Sequence, residues 1–236
     1  KLREIKDEKG EAGVSTMLAE TYVSIDDPHT AIRYYKRALE LYKKTGDTVS
    51  QINVLSSLGE LWLSGLVSPE ETGEYLKTAM QFLTSIKGLD LLALIQEESG
   101  TAAPDVRTFK EHLDYADEKL RDKTFGQIWD FTSEKLSSFE RWPIMVAGSL
   151  YQRVGRVALR GLDLREYAEL FAQLAWAYHR MFIDREAGVE IVRDQYLLGE
   201  ARRVAGKLND ALTFFEMSER TATVIRTPEI HWAYSG

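Results

Sequence analysis

Residues 18–38 of this 236-residue chain read LAETYVSIDDPHTAIRYYKRA and contain the spacing that decides the fold. Leu18-Ala19-x-x-Tyr22 places a small residue beside a large one, and Ala31-x-x-x-Tyr35-x-x-Ala38 does the same after a short gap. Asp26-Asp27-Pro28 separates the two patterns, because proline is tolerated in the first turn of a helix but not in its interior. Small residues at a contact let two helices approach closely. The stretch therefore predicts a helix hairpin.

The same template recurs three times along the chain. The small residue of the first helix is Ala19, then Gly59, Gly155 and Gly199, so the neighbouring copies within each half are 40 and 44 residues apart. The large and small residues expected on the second helices are Thr72, Leu76 and Ala79, then Ala168, Ala172 and Ala175, then Ala211, Phe215 and Ser218. Repeats of this length are typical of stacked helix pairs.

Turn and cap residues predict where the helices begin and end. Ser68, Pro69 and Glu71 form a strong start signal, since serine caps the helix, proline suits its first position and glutamate completes the capping box. The predicted helices span about 11–24, 29–44, 48–64, 69–87, 144–160, 164–182, 186–205 and 210–225. Residues 1–87 therefore read as a first-helix remnant followed by two hairpins, and residues 145–225 as two more.

Residues 88–144 do not keep the repeat register. They contain the apolar run Leu91 to Ile95, the loop Ser99 to Pro104 and two amphipathic stretches at about 105–122 and 125–140. Either a divergent repeat or a helical insert fits this pattern. Residues 226–236 begin a new start signal at Thr227-Pro228-Glu229 and read as the first part of a further, truncated repeat.

Residues 11–87 and about 145–225 resemble the tetratricopeptide repeat family. The repeat period exceeds the family's usual length of about 34 residues, so the chain is most similar to the long-period variety seen in bacterial signal-peptide sensors, kinesin light chains and cell-polarity adaptors. The resemblance implies an all-α fold, a right-handed α-solenoid of helix hairpins. It also implies that the first helix of each repeat lines a concave groove.

The groove positions implied by the resemblance lie six and three residues before the small residue and one and four after it. In the first repeat they are Gly13, Thr16, Glu20 and Val23; in the others they are Asn53, Ser56, Glu60 and Leu63, then Ser149, Gln152, Arg156 and Leu159, then Arg193, Tyr196, Glu200 and Arg203. Arginine and tyrosine dominate interface energetics, so Arg156, Arg193, Tyr196 and Arg203 are the expected anchors. The family's lysine and asparagine clamp for chaperone tails is not reproduced around Asn53.

Charge is distributed unevenly along the chain. The net charge is -7, with 17 Lys and Arg against 25 Asp and Glu in residues 1–140 (-8) and 13 against 12 in residues 141–236 (+1). Twelve of those thirteen cations are arginine, whose planar fork pairs with carboxylates. An acidic or carboxylate-bearing protein segment is therefore the expected partner, and direct nucleic-acid binding is not expected. Solvated surface pairs within the chain are the alternative explanation.

Signals for catalysis, cofactors and metals are weak. There is no cysteine, and the histidines His29, His112, His179 and His231 belong to no ligand motif. No apolar run is long enough to span a membrane. We therefore expect a cytoplasmic, non-catalytic protein- or peptide-binding scaffold or adaptor. A ligand-sensing or autoinhibitory module of a larger bacterial regulator, switch ATPase or protease, and a structural subunit of a multiprotein assembly, remain alternatives. If the chain is such a regulatory module, its partner would be another domain of the same protein.

Overall fold

The computed structural model describes residues 7–90, 109–120, 123–160, 164–182 and 185–225. Several predicted features lie outside these residues: the segment 1–6, the apolar run Leu91 to Ile95, the loop Ser99 to Pro104 and the segment 226–236. Within the described parts, the chain is entirely helical and contains no strand. None of the helices in these parts combines the length and the apolar character that crossing a membrane would require.

Ten α-helices and one 3-10 turn are present in the described residues. They are α1 (Glu8–Ser24), α2 (Pro28–Thr45), α3 (Thr48–Glu60), the 3-10 turn Leu61–Ser64, α4 (Pro69–Ser85), α5 (Phe109–Leu120), α6 (Phe125–Leu136), α7 (Arg141–Arg160), α8 (Arg165–His179), α9 (Arg185–Val204) and α10 (Leu208–Ile225).

Polar caps set the starts of these helices. Asp7, Asp27 and Asp47 each accept a hydrogen bond from the backbone N–H three residues later, which satisfies a donor that the first turn leaves free. Ser68 and Glu71 form the capping box that the sequence predicts. Boundaries differ from expectation where local patterns compete: α7 begins at Arg141 with Pro143 inside its first turn, and α3 tightens into the 3-10 turn at Leu61.

Consecutive helices pack as adjacent pairs: α1 with α2, α3 with α4, α7 with α8, and α9 with α10. The small residues of the template lie at these contacts. A Cβ on Gly59 would be 2.8 Å from the Cγ of Leu76, and one on Gly199 would be 2.4 Å from the Cε1 of Phe215. Both distances are too short for real atoms, so each large side chain occupies the space that glycine leaves. The predicted pairing of small with large residues is present in both hairpins.

The pairs also contact one another in a fixed order. Helix α2 packs on α3, α3 packs directly on α7, and α8 packs on α9. Helices α5 and α6 do not lie between α3 and α7; α5 contacts α4 and α8, and α6 contacts α8. The contact between α3 and α7 is thus made although α5 and α6 come between them in sequence.

Helix α6 is held on α8 by aromatic rings. Phe125 stacks on Trp176 with ring centroids 4.1 Å apart, and the guanidinium of Arg180 lies 4.9 Å from the ring centroid of Trp129. Cation–π contacts and offset stacking each stabilise such an arrangement beyond simple burial. This aromatic contact joins α6 to α8, the second helix of its pair.

The core beneath α7 and α8 includes a buried carboxylate. Asp90 accepts hydrogen bonds from the Tyr151 hydroxyl at 3.0 Å and from Thr84 at 2.7 Å, and Tyr178 donates to the carbonyl of Leu89 at 2.6 Å. These bonds satisfy polar groups that would be costly to bury alone. They fix the end of the segment that follows α4 against the second half of the chain.

Candidate functional site: the face of the first helices

The predicted groove residues of three helices, α3, α7 and α9, lie on one connected face. Their exposure differs. Asn53, Ser56 and Gln152 are buried, Glu60, Arg156, Tyr196 and Glu200 are half-buried, and Arg193 and Arg203 are exposed. The buried members cannot contact a partner without rearrangement, so they act as the floor of this face.

Arg153, which the sequence rule does not select, joins α7 to α3. Its Nη1 donates to the Oδ1 of Asn53 at 3.1 Å and to the Oγ of Ser56 at 2.8 Å, and its Nε donates to the Oε2 of Glu60 at 3.3 Å. One guanidinium therefore satisfies three predicted groove residues. Bonds to a charged donor are stronger than those between neutral groups, so this contact fixes the register of α3 against α7.

Arg156 lies one helical turn further along α7 and completes the link. Its Nη1 is 3.0 Å from the Oε1 of Glu60, and its Nη2 donates to the Oε1 of Gln152 at 2.8 Å. Its Nε is buried and has no hydrogen-bond partner. The residue expected to anchor a partner is thus already engaged inside the protein on two of its three nitrogens.

Gln152 continues the network from α7 to α9. Its amide nitrogen donates to the Oδ1 of Asp194 at 2.7 Å and to the Oε2 of Glu190 at 3.2 Å. Asp194 in turn lies 2.6 Å, through Oδ2, from the Nδ1 of His179 at the end of α8. Both side chains of this pair are completely buried. His179, a histidine without a sequence motif, is therefore half of a buried hydrogen-bonded pair with Asp194.

Burial and charge oppose each other in this cluster. Burial lowers the pKa of His179, but the charge and hydrogen bond of Asp194 outweigh it and the pKa is raised overall. Burial raises the pKa of Asp194, and His179 and Gln152 offset only part of that rise. Burial would also raise the pKa of Glu190, yet it is lowered because Arg193, His179 and further arginines surround it.

Arg193 and Arg203 of α9 pair with glutamates of the same helix. Arg193 lies 2.6 Å from Glu190, and Arg203 makes two bonds to Glu200 at 3.0 and 2.9 Å. The Glu190 side chain is only 19% exposed and accepts a hydrogen bond from Gln152, so Arg193 is the cation that stabilises a largely buried carboxylate. Surface pairs of three-residue spacing contribute little to stability, and the Arg203–Glu200 pair is the nearer of the two to that case. Tyr196, between Arg193 and Arg203, packs its ring on Phe215 with centroids 5.5 Å apart.

An open cleft of about 390 Å³ lies at the end of α7 beside the 3-10 turn. Trp62, Leu63, Gly65 and Arg160 line it. Arg160 is exposed, and no carboxylate of the described chain is within ion-pair distance of it. Arg160 also acts electrostatically on Tyr196. Burial and the charge of Glu200 raise the pKa of Tyr196, and the positive charge of Arg160 offsets part of that rise. The cleft thus combines an aromatic surface with a cation that pairs with no carboxylate among the described residues.

The predicted positions of α1 are less closely tied to this network. Thr16 is buried and donates to the carbonyl of Ala12 at 3.1 Å, while Glu20 and Val23 are exposed. The pKa of Glu20 is raised because the surrounding protein desolvates it, and the positive charge of Arg153 only partly compensates. Electrostatics therefore connect α1 to the same face, but no hydrogen bond does so in the described chain.

Among residues 7–90, 109–120, 123–160, 164–182 and 185–225, no three His, Asp or Glu side chains are grouped as metal ligands. The face is instead a row of paired charges. Such a surface can orient and hold a polypeptide. Neither the models of known protein families nor the curated proteins give a match to this chain.

Proposed function

We propose that this protein is a non-catalytic scaffold that binds a protein or peptide segment along the face of α1, α3, α7 and α9. In this proposal the hairpins stack as a right-handed solenoid of tetratricopeptide type, and α5 and α6 are an insert on the opposite side. The observation that carries the proposal is the side-chain network from Asn53 through Arg153 and Gln152 to Asp194. It runs across α3, α7 and α9 and aligns them along one surface.

The division between buried and accessible groups supports binding along this face. Fully satisfied buried polar groups give a rigid floor, because each would be costly to leave unpaired. The exposed Arg203 pairs with Glu200 of its own helix, and the exposed Arg193 lies 2.6 Å from Glu190. A rigid floor with accessible charges above it suits recognition of an extended segment, since little ordering is needed on binding.

The cleft at Trp62 and Arg160 indicates the chemistry of the partner. Arg160 can form a two-bond contact with a carboxylate, and Trp62 offers an apolar ring face next to it. We therefore expect the bound segment to carry an acidic side chain or a terminal carboxylate beside an apolar residue. Arg193 and Arg203 would pair with further acidic groups along the segment.

A selected peptide provides the test. A random peptide library displayed on phage would be selected on the wild-type protein, and the dissociation constants of the winning peptides measured by fluorescence anisotropy. In Arg160→Glu we expect acidic peptides to bind at least about tenfold more weakly, because a charge-assisted hydrogen bond contributes about 1.5–3 kcal/mol. The matched control is Arg33→Glu, an exposed arginine on α2 with the same change of charge.

Three outcomes would contradict the proposal. The library could yield no peptide that binds, the two variants could weaken binding equally, or acidic peptides could lose no affinity in Arg160→Glu. The first outcome removes the scaffold function itself. The other two leave a scaffold whose partner does not use this cleft.

A further inference from the structure

A second unused donor, the hydroxyl of Tyr196, lies near the cleft that Trp62 and Arg160 line. Tyr196 is half-buried, and its ring packs on Phe215. Its hydroxyl has no hydrogen-bond partner among the described residues, and the surrounding protein does not enclose it. The positive charge of Arg160 acts on this phenol, which indicates that the two groups are close to each other. Two free donors, one on α7 and one on α9, are therefore available to the same ligand.

The packing of α7 against α9 brings these two side chains together. Leu197, the residue after Tyr196, lies 3.1 Å from where a Cβ of Gly155 would be. Arg160 follows Gly155 by five residues and belongs to the last turn of α7. Side chains of a helix lean toward its N-terminus, so Arg160 extends back along α7 toward the level of Leu197 and Tyr196. A ligand held by both donors would contact two successive hairpins.

The charges around the cleft are matched to a ligand with one negative charge. Arg203 makes two bonds to Glu200, and the Nη1 of Arg156 is 3.0 Å from the Oε1 of Glu60. These pairs leave Arg160 as the cation at the cleft that has no carboxylate within the described chain. A single unpaired positive charge is compensated by a single carboxylate.

The backbone at the cleft disfavours a phosphate and a chain terminus. The last turn of α7 and the end of the 3-10 turn Leu61–Ser64 both present carbonyl groups, which carry partial negative charge. A phosphate has nearly two negative charges and is disfavoured at a helix C-terminus. Terminal carboxylates are commonly captured by backbone N–H groups, but the N–H of Gly65 already donates to the carbonyl of Trp62 at 2.8 Å. A side-chain carboxylate needs only the two side-chain donors.

We propose that the segment bound along this face passes through the cleft and places an internal aspartate or glutamate between Arg160 and Tyr196, with an adjacent apolar side chain on Trp62. This proposal rests on the scaffold function and names the ligand group that the cleft selects. The fork of Arg160 holds the carboxylate, and the hydroxyl of Tyr196 donates a further hydrogen bond to it. Tyr196 is thus a residue that determines specificity, and the ligand carboxylate bridges α7 and α9.

A double-mutant cycle between Tyr196 and the peptide carboxylate tests this contact. Acidic peptides selected on wild type are compared with forms that carry glutamine or phosphoserine in place of the acidic residue, and with forms whose C-terminus is amidated. Tyr196→Phe keeps the ring on Phe215 and removes only the hydroxyl. It should weaken binding of the acidic peptide about tenfold, because hydrogen bonds to a charged group are the stronger ones, and leave binding of the glutamine form unchanged. The matched control is Tyr34→Phe, a half-buried tyrosine whose ring stacks on Tyr22 at the same centroid distance of 5.5 Å.

The modified peptides separate the possible ligand groups. Amidation should change the affinity by less than about twofold, and phosphoserine should bind more weakly than the acidic residue. Three results would overturn the proposal: an equal effect of Tyr196→Phe on the acidic and glutamine forms, a loss of binding on amidation, or tighter binding of the phosphoserine form. Each leaves the scaffold function intact, because the peptide still binds and Arg160→Glu still weakens it. A library without any binding peptide removes both proposals.

Discussion

Two contacts on α8 differ in chemistry and in what they hold. At its end, His179 meets Asp194 of α9 in a buried polar cluster, whereas one turn earlier Trp176 stacks on Phe125 of α6. Polar bonds are directional and fail when one partner shifts, so the first contact specifies a single register between hairpins. Stacked rings are more tolerant of small displacements. The difference indicates that the polar cluster fixes the position of one hairpin against the next, whereas the stacked rings hold α6 on α8 less strictly.

Removing one member of the polar cluster should have the largest effect on stability. Asp194→Ala removes the carboxylate that His179 contacts and the shorter of the acceptors of Gln152, and it leaves both side chains buried. Breaking a buried pair in this way costs about 3–5 kcal/mol. The free energy of unfolding, measured by urea denaturation and circular dichroism, should fall by that amount. Because the cluster joins α7, α8 and α9, amide exchange should rise in all three helices.

The control for this variant is Asp210→Ala, which removes an exposed aspartate 3.0 Å from Arg202. We expect a change within about 0.5 kcal/mol, as for most surface substitutions. A loss in Asp194→Ala as small as that in the control would show that the polar cluster does not lock the hairpins. The polar contact between α8 and α9 would then fix the hairpins no more strictly than the stacked rings hold α6.

Removing the stacked ring should have a smaller and more local effect. Phe125→Ala eliminates a half-buried ring, so we expect about 2 kcal/mol, below the 3–5 kcal/mol typical of a fully buried phenylalanine. Amide exchange should rise in α6 and stay unchanged in α7 and α9. Trp142→Ala, an exposed aromatic outside this contact, is the matched control. Increased exchange across α9 after Phe125→Ala would mean that the two contacts are parts of one cooperative unit.

The parts of the fold that follow from local chemistry could be predicted from sequence. Gly59 with Leu76 and the capping box at Ser68 depend on residues at fixed spacing in one hairpin, and both are present. The residues that lock the face could not be chosen in this way. Arg153 stands where the other repeats have Met17, Ser57 and Leu197, so no shared residue type marks the position.

One signal could have revealed the buried pair. Asp194 occupies a position at which the other first helices have Val14, Val54 and Leu150, so an acidic residue interrupts an otherwise apolar pattern. Gly148 is a second sign, because a Cβ there would be 2.6 Å from the Nε2 of His179. Neither sign names the partner, since His179 and Asp194 lie on different helices and meet only when the hairpins pack. Tertiary contacts of this kind are not encoded in a local pattern.

The smallest expected effect is a dependence of stability on pH. His179 is faced by Asp194 and Glu190 from α9 and by the backbone of Met145 from α7. Its pKa is raised above the ordinary 6.5 in the folded protein. The charged form is therefore favoured by folding, so its stabilisation is fully present below the unfolded pKa and is lost as pH rises through the folded pKa. Only a proton is removed, so the loss should be smaller than in Asp194→Ala.

Urea denaturation between about pH 6 and pH 9 brackets the ordinary histidine pKa of about 6.5 and should detect this decline. His179→Gln keeps a donor for Asp194 but cannot titrate, so subtracting its curve from that of wild type isolates the contribution of His179. We expect the difference between the two curves to fall with rising pH. The pKa of Asp194 is also raised, so its titration acts in the same direction, and it is present in both proteins that are compared. A flat difference would mean that His179 is neutral in the fold, and the hairpins would then be locked by hydrogen bonds without a buried ion pair.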